Sequence, residues 1–462
     1  MSAVGGVAPA RVRDVLRLAW PLVLSYVCNS LYRVNDQYWV GDLGPDAHAA
    51  LGGCVFLLIL NFSCYFLVIA GALPLVAKAT GAADPETRDR TVRHAMALGA
   101  ILALVLGVVG RSFTPQLIDA LGLTDGTAVM ARSYMNVIYA GTLPMALAPL
   151  VDTVFIGMGN TLIPFLLQLV AVLSNFTLNP CLIYGYGPFE EYGVAGAAIA
   201  TCISRSITTV LGLIILWRSF GVHWMPRLKL ERSQALQILR IGFPSALSIT
   251  IYASIYLLLL RTVITGLGRD VIAGLGIGFN AFEGVSFPLY LGVAVAGSSI
   301  IGRNMGAGSR PGVIEAVRSV RIVAIVMGIA VSLFFYFVAP SLVRFFTTDV
   351  SVAREATGYL RILAFSQLFV AVESVNEKFL LGAGRTKPIF WISVPGNALR
   401  VPLAWGLAVG LSWGAAGTWW AINVSTFLKA AAFTWIVKRG HWMEPDPESD
   451  PAPGPERRIG TD

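Results

Sequence analysis

Residues 157–161 read GMGNT, and residues 382–386 read GAGRT. The same separation, 225 residues, aligns ATGA (79–82) with NMGA (304–307) and SYMNVIYAG (133–141) with GYLRILAFS (358–366). GVAGAAIAT (193–201) parallels GAAGTWWAI (414–422) at a separation of 221, and Pro21 and Pro244 open matching stretches. Three short matches at one constant offset mark a duplicated chain.

The duplicated unit is apolar. Hydrophobic residues make up 56% of the 462 and charged residues 13%, against roughly 25% charged in a soluble chain. Mean hydropathy is +0.70. At about 20 apolar residues per spanning helix, twelve segments emerge, centred near residues 28, 59, 103, 143, 172, 206, 250, 285, 330, 368, 398 and 426. The second and eighth read as weaker, interrupted by Asn61, Pro74, Asn280, Glu283 and Pro288. The fold expected is an all-α polytopic membrane protein of two pseudo-symmetric six-helix bundles. Residues 1–220 form the N-terminal lobe, 221–440 the C-terminal lobe, and 441–462 a disordered cytoplasmic tail poor in apolar residues. An even number of spans per half keeps both repeats in one orientation, so the pseudo-twofold lies along the membrane normal. The first apolar stretch is too long for a signal-peptide core and reads as a retained span.

Orientation follows the basic residues. With the N-terminus inside, 22 of the 34 lysines and arginines fall in inner segments and 5 in outer loops. Both termini are therefore expected in the cytoplasm, and the net charge of +8 is a topology signal with no nucleic-acid partner implied. The partner surface is the lipid bilayer. No GxxxxGK[ST] motif occurs, the four histidines show no ligand spacing, and the five cysteines lie in apolar stretches without CxxC spacing. Nucleotide-driven pumping, a bound cofactor and a disulfide framework are not expected. A membrane-embedded enzyme would need clustered catalytic residues near an interface, and none is evident.

Several motifs, in order, carry a resemblance over about residues 12–440. They are a Pro-led first span ending Asp36 to Gly41, then GALPLVAKATGA (71–82), Asn175 and Asn179, GAAIAT (196–201), IGFPS (241–245) and the duplicated G-x-G-x-T joints. Together they resemble the multidrug and toxic compound extrusion family. The resemblance implies two lobes around a central cavity and a secondary antiporter. It would export amphipathic organic cations in exchange for entering protons or sodium. The expected location is the plasma membrane, the inner membrane of a bacterium, with a monomer as the working unit.

The stretch LYRVNDQYWVGDLG (31–44) places Arg33 and Asp36 on one helix face inside an apolar run. Each charge there costs at least about 2.5 kcal/mol to insert. At the offsets of the flanking pairs, Asp36 corresponds to Leu259 or Leu260, so the carboxylate belongs to one half alone. Asn175 and Asn179 are i, i+4 on the fifth span, and Thr201 begins a polar patch on the sixth. A carboxylate, two amide oxygens and a hydroxyl suit a proton or a small monovalent cation. Family members carry a cation-linked site at these matching positions, so Asp36, Asn175, Asn179 and Thr201 are the ion-binding candidates, metal ligands only if the ion is sodium. One bacterial branch has an aspartate at the second amide position; Asn179 leaves this chain one carboxylate short. Two plainer readings stand beside this one: a structural Arg33–Asp36 ion pair, and asparagines serving as interhelical hydrogen-bonding glue.

In the C-terminal half, Glu283, Asn280 and Glu373 are substrate-binding candidates, against interior pairing of the acids with Arg261, Lys378 or Arg400. Asp152 and Glu377 match at offset 225, which favours a shared gating or structural role, with Arg33 grouped beside them. Phe279, Phe282 and Phe369 are either cavity wall or lipid-facing. The rival function is a lipid-linked saccharide flippase of the wider superfamily, whose cavity would be cationic; Arg33, Arg205, Arg261 and Arg400 keep it open.

Overall fold

The computed structural model describes residues 6–123, 125–225 and 231–444; the side chain of Arg33 lies outside the described residues. Among the described residues, twelve helical segments run in order: α1 (Val12–Gly41), α2 (Pro45–Gly81), α3 (Pro85–Ala120), α4 (125–157), α5 (Leu162–Tyr184), α6 (Val194–Phe220), α7 (Arg232–Leu267), α8 (Arg269–Gly306), α9 (Arg310–Phe345), α10 (Val350–Gly382), α11 (387–410) and α12 (Gly414–Arg439). Among the described residues, nine helices are long and apolar enough to cross a membrane, ten when the bent α4 is one span. The weak spans are not the expected second and eighth, whose mean hydropathies are 2.3 and 1.6. They are α1, which carries a polar stripe, and α11, which is broken.

The duplication is visible in the joints. Asp84 and Ser309, 225 residues apart, cap α3 and α9 by accepting from Thr87 N (2.9 Å) and Gly312 N (3.2 Å). The Thr87 N–H holds the Asp84 carboxyl below its ordinary value, so the cap is ionised at neutral pH and is lost only in acid. Gly159 and Gly384 turn the G-x-G-x-T joints with φ of +80° and +78°, a conformation that disfavours a Cβ.

The breaks have local causes. Segment α4 bends by 57° between Ala140 and Thr142, where Pro144 leaves the Ala140 carbonyl without its helical donor. In α11 the helix stops at Ala398, the carbonyl that Pro402 cannot serve. Helix α8 contains a π-turn over Gly278–Glu283, a feature often found at functional sites.

Helices α1–α6 and α7–α12 form two lobes that meet through α1 with α8 and α2 with both α7 and α8. The end bearing the 81–85, 157–162, 303–310 and 382–387 joints is the basic end. There the backbones touch: a Cβ on Gly81 would overlap the Arg303 carbonyl and one on Gly306 the Lys78 carbonyl, while further along α2 one on Gly242 would overlap the Leu67 carbonyl. Toward the middle, Thr250 Oγ1 donates to Ser63 Oγ (2.9 Å) and Ser30 Oγ to the Gly284 carbonyl (3.3 Å). These contacts between lobes run from mid-span to the basic end. Beyond α12, His441–Met443, expected in the tail, form a 3₁₀ turn with Trp442 buried; residues 445–462 lie outside the described residues.

The glycine contacts give a first expectation. Gly306→Val forces a branched side chain against Lys78, and overpacking costs about 1–3 kcal/mol. That cost falls on the closed basic end alone. Distances between spin labels at the exposed positions 83 and 310 should lengthen, with the folded yield retained. Unchanged distances would mean that this contact does not hold the lobes together.

Candidate functional site

Three stripes converge inside the N-terminal lobe. Tyr32, Asn35, Asp36 and Trp39 share one face of α1 at i, i+3, i+4 and i+7. Gln168, Asn175 and Asn179 face them from α5; Thr201, Arg205 and Thr208 do so from α6. Asn175 and Asn179 are fully buried, and Asp36 and Thr201 are 8% and 6% exposed.

Asn179 Nδ2 donates to Asp36 Oδ1 at 2.8 Å, and Thr201 Oγ1 reaches Asp36 Oδ2 at 3.5 Å. Asn35 Nδ2 donates to Asn175 Oδ1 (2.8 Å), and Trp39 Nε1 donates to Asn35 Oδ1 (2.9 Å). Asn179 Oδ1 and Asn175 Nδ2 find no partner among the described residues. A buried polar atom without a partner costs about 1–3 kcal/mol. The four expected residues are thus brought together, and an orphan amide oxygen lies beside a carboxylate. Oxygens of Asp36, Asn175, Asn179 and Thr201 can hold a proton or a small hard cation; one carboxylate matches one positive charge.

Arg205 is the cation the structure places nearby. Its guanidinium donates to Gln168 Oε1 and Asn29 Oδ1, each at 3.1 Å, and lies over the Tyr32 ring at 5.2 Å. Asn35, Trp39 and Arg205 were not among the sequence candidates for this site. The i+4 step from Thr201 to Arg205 was the available signal.

Among the described residues, the C-terminal lobe builds no second copy. At offset 225, Asn175 becomes Arg400 and Asn179 becomes Ala404. Arg400 donates to Ser425 Oγ (2.8 Å) and Thr426 Oγ1 (3.4 Å), while Leu259 is buried in apolar core. Where one lobe holds an acid among amides, the other holds a guanidinium among hydroxyls.

The C-terminal acids separate. Glu283 ends the π-turn and accepts from the Tyr359 hydroxyl at 2.8 Å. Close by, Phe279 stacks on Tyr256 (5.6 Å) and Tyr256 on Tyr252 (6.5 Å), with Arg400 over Tyr252 at 5.9 Å. Asn280 turns back to the Gly276 carbonyl of its own helix and leaves Glu283 alone. Glu373 is neutralised by Lys429 at 2.7 Å, both side chains largely buried. In this structure Glu373 is therefore paired in the interior, with a partner that was not foreseen. Glu377 pairs with its neighbour Lys378 at 2.6 Å. Asp152, its counterpart, lies beside Gln168, Arg205 and Thr208. Phe282 is buried, and Phe279 and Phe369 are each 38% exposed.

The Glu373–Lys429 pair yields a second expectation. Removing one partner of a buried pair costs about 3–5 kcal/mol, whereas replacing both by apolar groups can be neutral. Lys429→Ala should lower the melting temperature in detergent sharply, and Glu373→Leu/Lys429→Met should recover most of it. A single variant as stable as wild type would remove the pair from the fold's supports.

A family model named MatE matches residues 21–181 and 244–405, one stretch in each lobe. The chain is 26% identical over 439 residues to the "probable multidrug resistance protein NorM" of Thermotoga maritima, covering 93% of each chain. It is 27% identical over 447 residues to the protein of the same description from Pseudomonas aeruginosa, covering 93% of this chain and 90% of that one. A solved structure described as the outward-facing conformation of a multidrug resistance MATE transporter of the MOP superfamily superposes with a TM-score of 0.86. It is 22% identical and covers 94% of this chain and 97% of that one.

Proposed function

Because the chain belongs to the MatE family of membrane transporters, we propose that it is a secondary active antiporter exporting amphipathic organic cations in exchange for protons or sodium. The observation that carries the reading is the Asp36 site: a buried carboxylate ringed by amides and a hydroxyl, present in one lobe of a duplicated chain and replaced by leucine in the other. Shared architecture does not require it, so its charge serves a function of that lobe. The relatives named for multidrug resistance support the export direction.

The basic end is cytoplasmic, which puts both termini inside. Closure of the lobes there corresponds to an outward-facing state. Asp36 changes its charge state when it takes up a proton or sodium from outside. Loaded and empty forms then favour different lobe arrangements, and each ligand shifts the equilibrium only by its differential affinity. The membrane potential contributes about 2.3 kcal/mol per charge per 100 mV to ion entry. The substrate's positive charge is met by Glu283 and the Tyr252–Tyr256–Phe279 rings, an acid beside stacked aromatic faces. A monomer contains every group used.

Purified protein in liposomes, with proton and sodium gradients imposed separately, tests this. Uptake of an ethidium-like cation driven by one of the two gradients supports antiport. Equal fluxes with and without gradients, across a panel of cations, would overturn it in favour of the flippase.

A further inference from the structure

The chain enters α1 through a short extended lead, and that lead is bound to the other lobe. Residues 7–10, VAPA, form no helix, and Ala8 and Ala10 are each 4% exposed. Pro9 disfavours the helical region for Ala8, and the ladder of α1 begins only at the Arg11 carbonyl. Buried backbone groups need partners from elsewhere. Asn304, on the last turn of α8, supplies both. Its Oδ1 accepts from Ala8 N (3.1 Å), and its Nδ2 donates to the Ala8 carbonyl (3.2 Å). Nδ2 also donates to the Ile300 carbonyl of its own helix at 3.1 Å, which fixes the orientation of the amide. Asn304 is fully buried.

The duplicated joint can be built without this clamp, because the other half lacks it. At offset 225, Asn304 corresponds to Ala79 and Gly312 to Thr87. The two exchanges belong together: a Cβ on Gly312 would lie 2.5 Å from Asn304 Oδ1, so the amide uses room that Gly312 leaves open. The clamp also sits in the seam between the lobes. On either side of Asn304, the Arg303 carbonyl meets Gly81 of α2, and Gly306 meets the Lys78 carbonyl. The lead thus binds the C-terminal lobe where the basic end closes. The same chain runs on through α1 to Asp36, which accepts from Asn179 inside the N-terminal lobe. No titratable side chain takes part in the clamp, so it does not depend on the net charge around Asp36.

We propose that Asn304 is a positioning residue for transport: its clamp on Ala8 holds the basic end closed, and the lead must leave Asn304 before the lobes part there. The inference rests on the alternating access of the proposed function and is indifferent to which ion or substrate is carried. Each amide–backbone bond contributes modestly, so the pair biases the equilibrium and leaves closure reversible.

Two pairs of spin labels on the full-length protein in liposomes read the two motions. Positions 83 and 310 report separation of the lobes, and 7 and 310 report separation of the lead from the C-terminal lobe; all three are exposed. In wild type, the fraction with a long 83–310 distance should equal the fraction with a long 7–310 distance. Asn304→Ala installs the residue that the other half carries at this joint. It should raise both fractions about tenfold, the effect of two hydrogen bonds of ordinary strength. Ala8→Pro removes only the Ala8 donor, leaves α8 untouched and should raise both fractions severalfold. The double variant should go no further than Asn304→Ala, because the clamp is already gone. A merely structural role for Asn304 would lower the folded yield of Asn304→Ala and leave the distances of Ala8→Pro at wild type. That result would overturn the inference, as would a 7–310 distance that stays short while the lobes part. The labels need neither ion nor substrate. Full coupling in Asp36→Asn would therefore sink the functional reading and leave the clamp standing, whereas unchanged distances in Ala8→Pro would sink the clamp alone.

Discussion

Asp36→Asn yields a folded protein that binds substrate and cannot move it against a gradient. The amide has the shape of the carboxyl and keeps an oxygen for Asn179 Nδ2, which donates to Asp36 at 2.8 Å. Packing is preserved because the residue is already buried among amides. What disappears is the charge, and with it the difference between loaded and empty forms. A protein with no such difference cannot have its equilibrium shifted by the ion. Gradient-driven transport should fall to the level of protein-free liposomes, whereas substrate binding in detergent stays within a few-fold of wild type. Transport at the wild-type rate would return Asp36 to a structural role, with Arg33 or Arg205 as its counter-charge.

Glu283→Gln should have the second-largest effect, and a selective one. The acid accepts from Tyr359 and lies near the stacked Phe279, Tyr256 and Tyr252 rings. A lipophilic cation entering there gains from the carboxylate and from the ring faces, the latter worth roughly 0.5–2 kcal/mol. Loss of the charge should weaken cation binding by at least about tenfold, or 1.4 kcal/mol, and leave a neutral analogue of the same shape unaffected. Equal loss for both analogues would mean that Glu283 supports the π-turn and does not read substrate charge.

The sequence was most legible where local chemistry is demanding. Gly159 and Gly384 hold a left-handed turn, and Asp84 and Ser309 a helix cap, so the duplication survives in those residues. Asp36 stood out because a charge in an apolar run is costly, and Asn175 with Asn179 because i, i+4 fixes a common face. The rest depended on contacts between helices distant in sequence. Glu373 and Lys429 are 56 residues apart, and nothing local pairs them. Arg205 looked like one more cation within a span until α5 and α1 supplied Gln168 and Asn29 as its tethers. The π-turn at Gly278–Glu283 packs against Tyr359, which a Cβ on Gly278 would strike, and no residue pattern announces it.

The central claim is that one site exchanges an ion for a cationic substrate's passage, and ion release on substrate binding measures it most directly. Purified protein, equilibrated in weak buffer with a pH indicator and a sodium electrode, is titrated with a lipophilic cation. Wild type should release protons or sodium in proportion to the substrate bound, and Asp36→Asn should bind substrate and release neither. Undiminished release from Asp36→Asn, or none from wild type at saturation, would contradict the account.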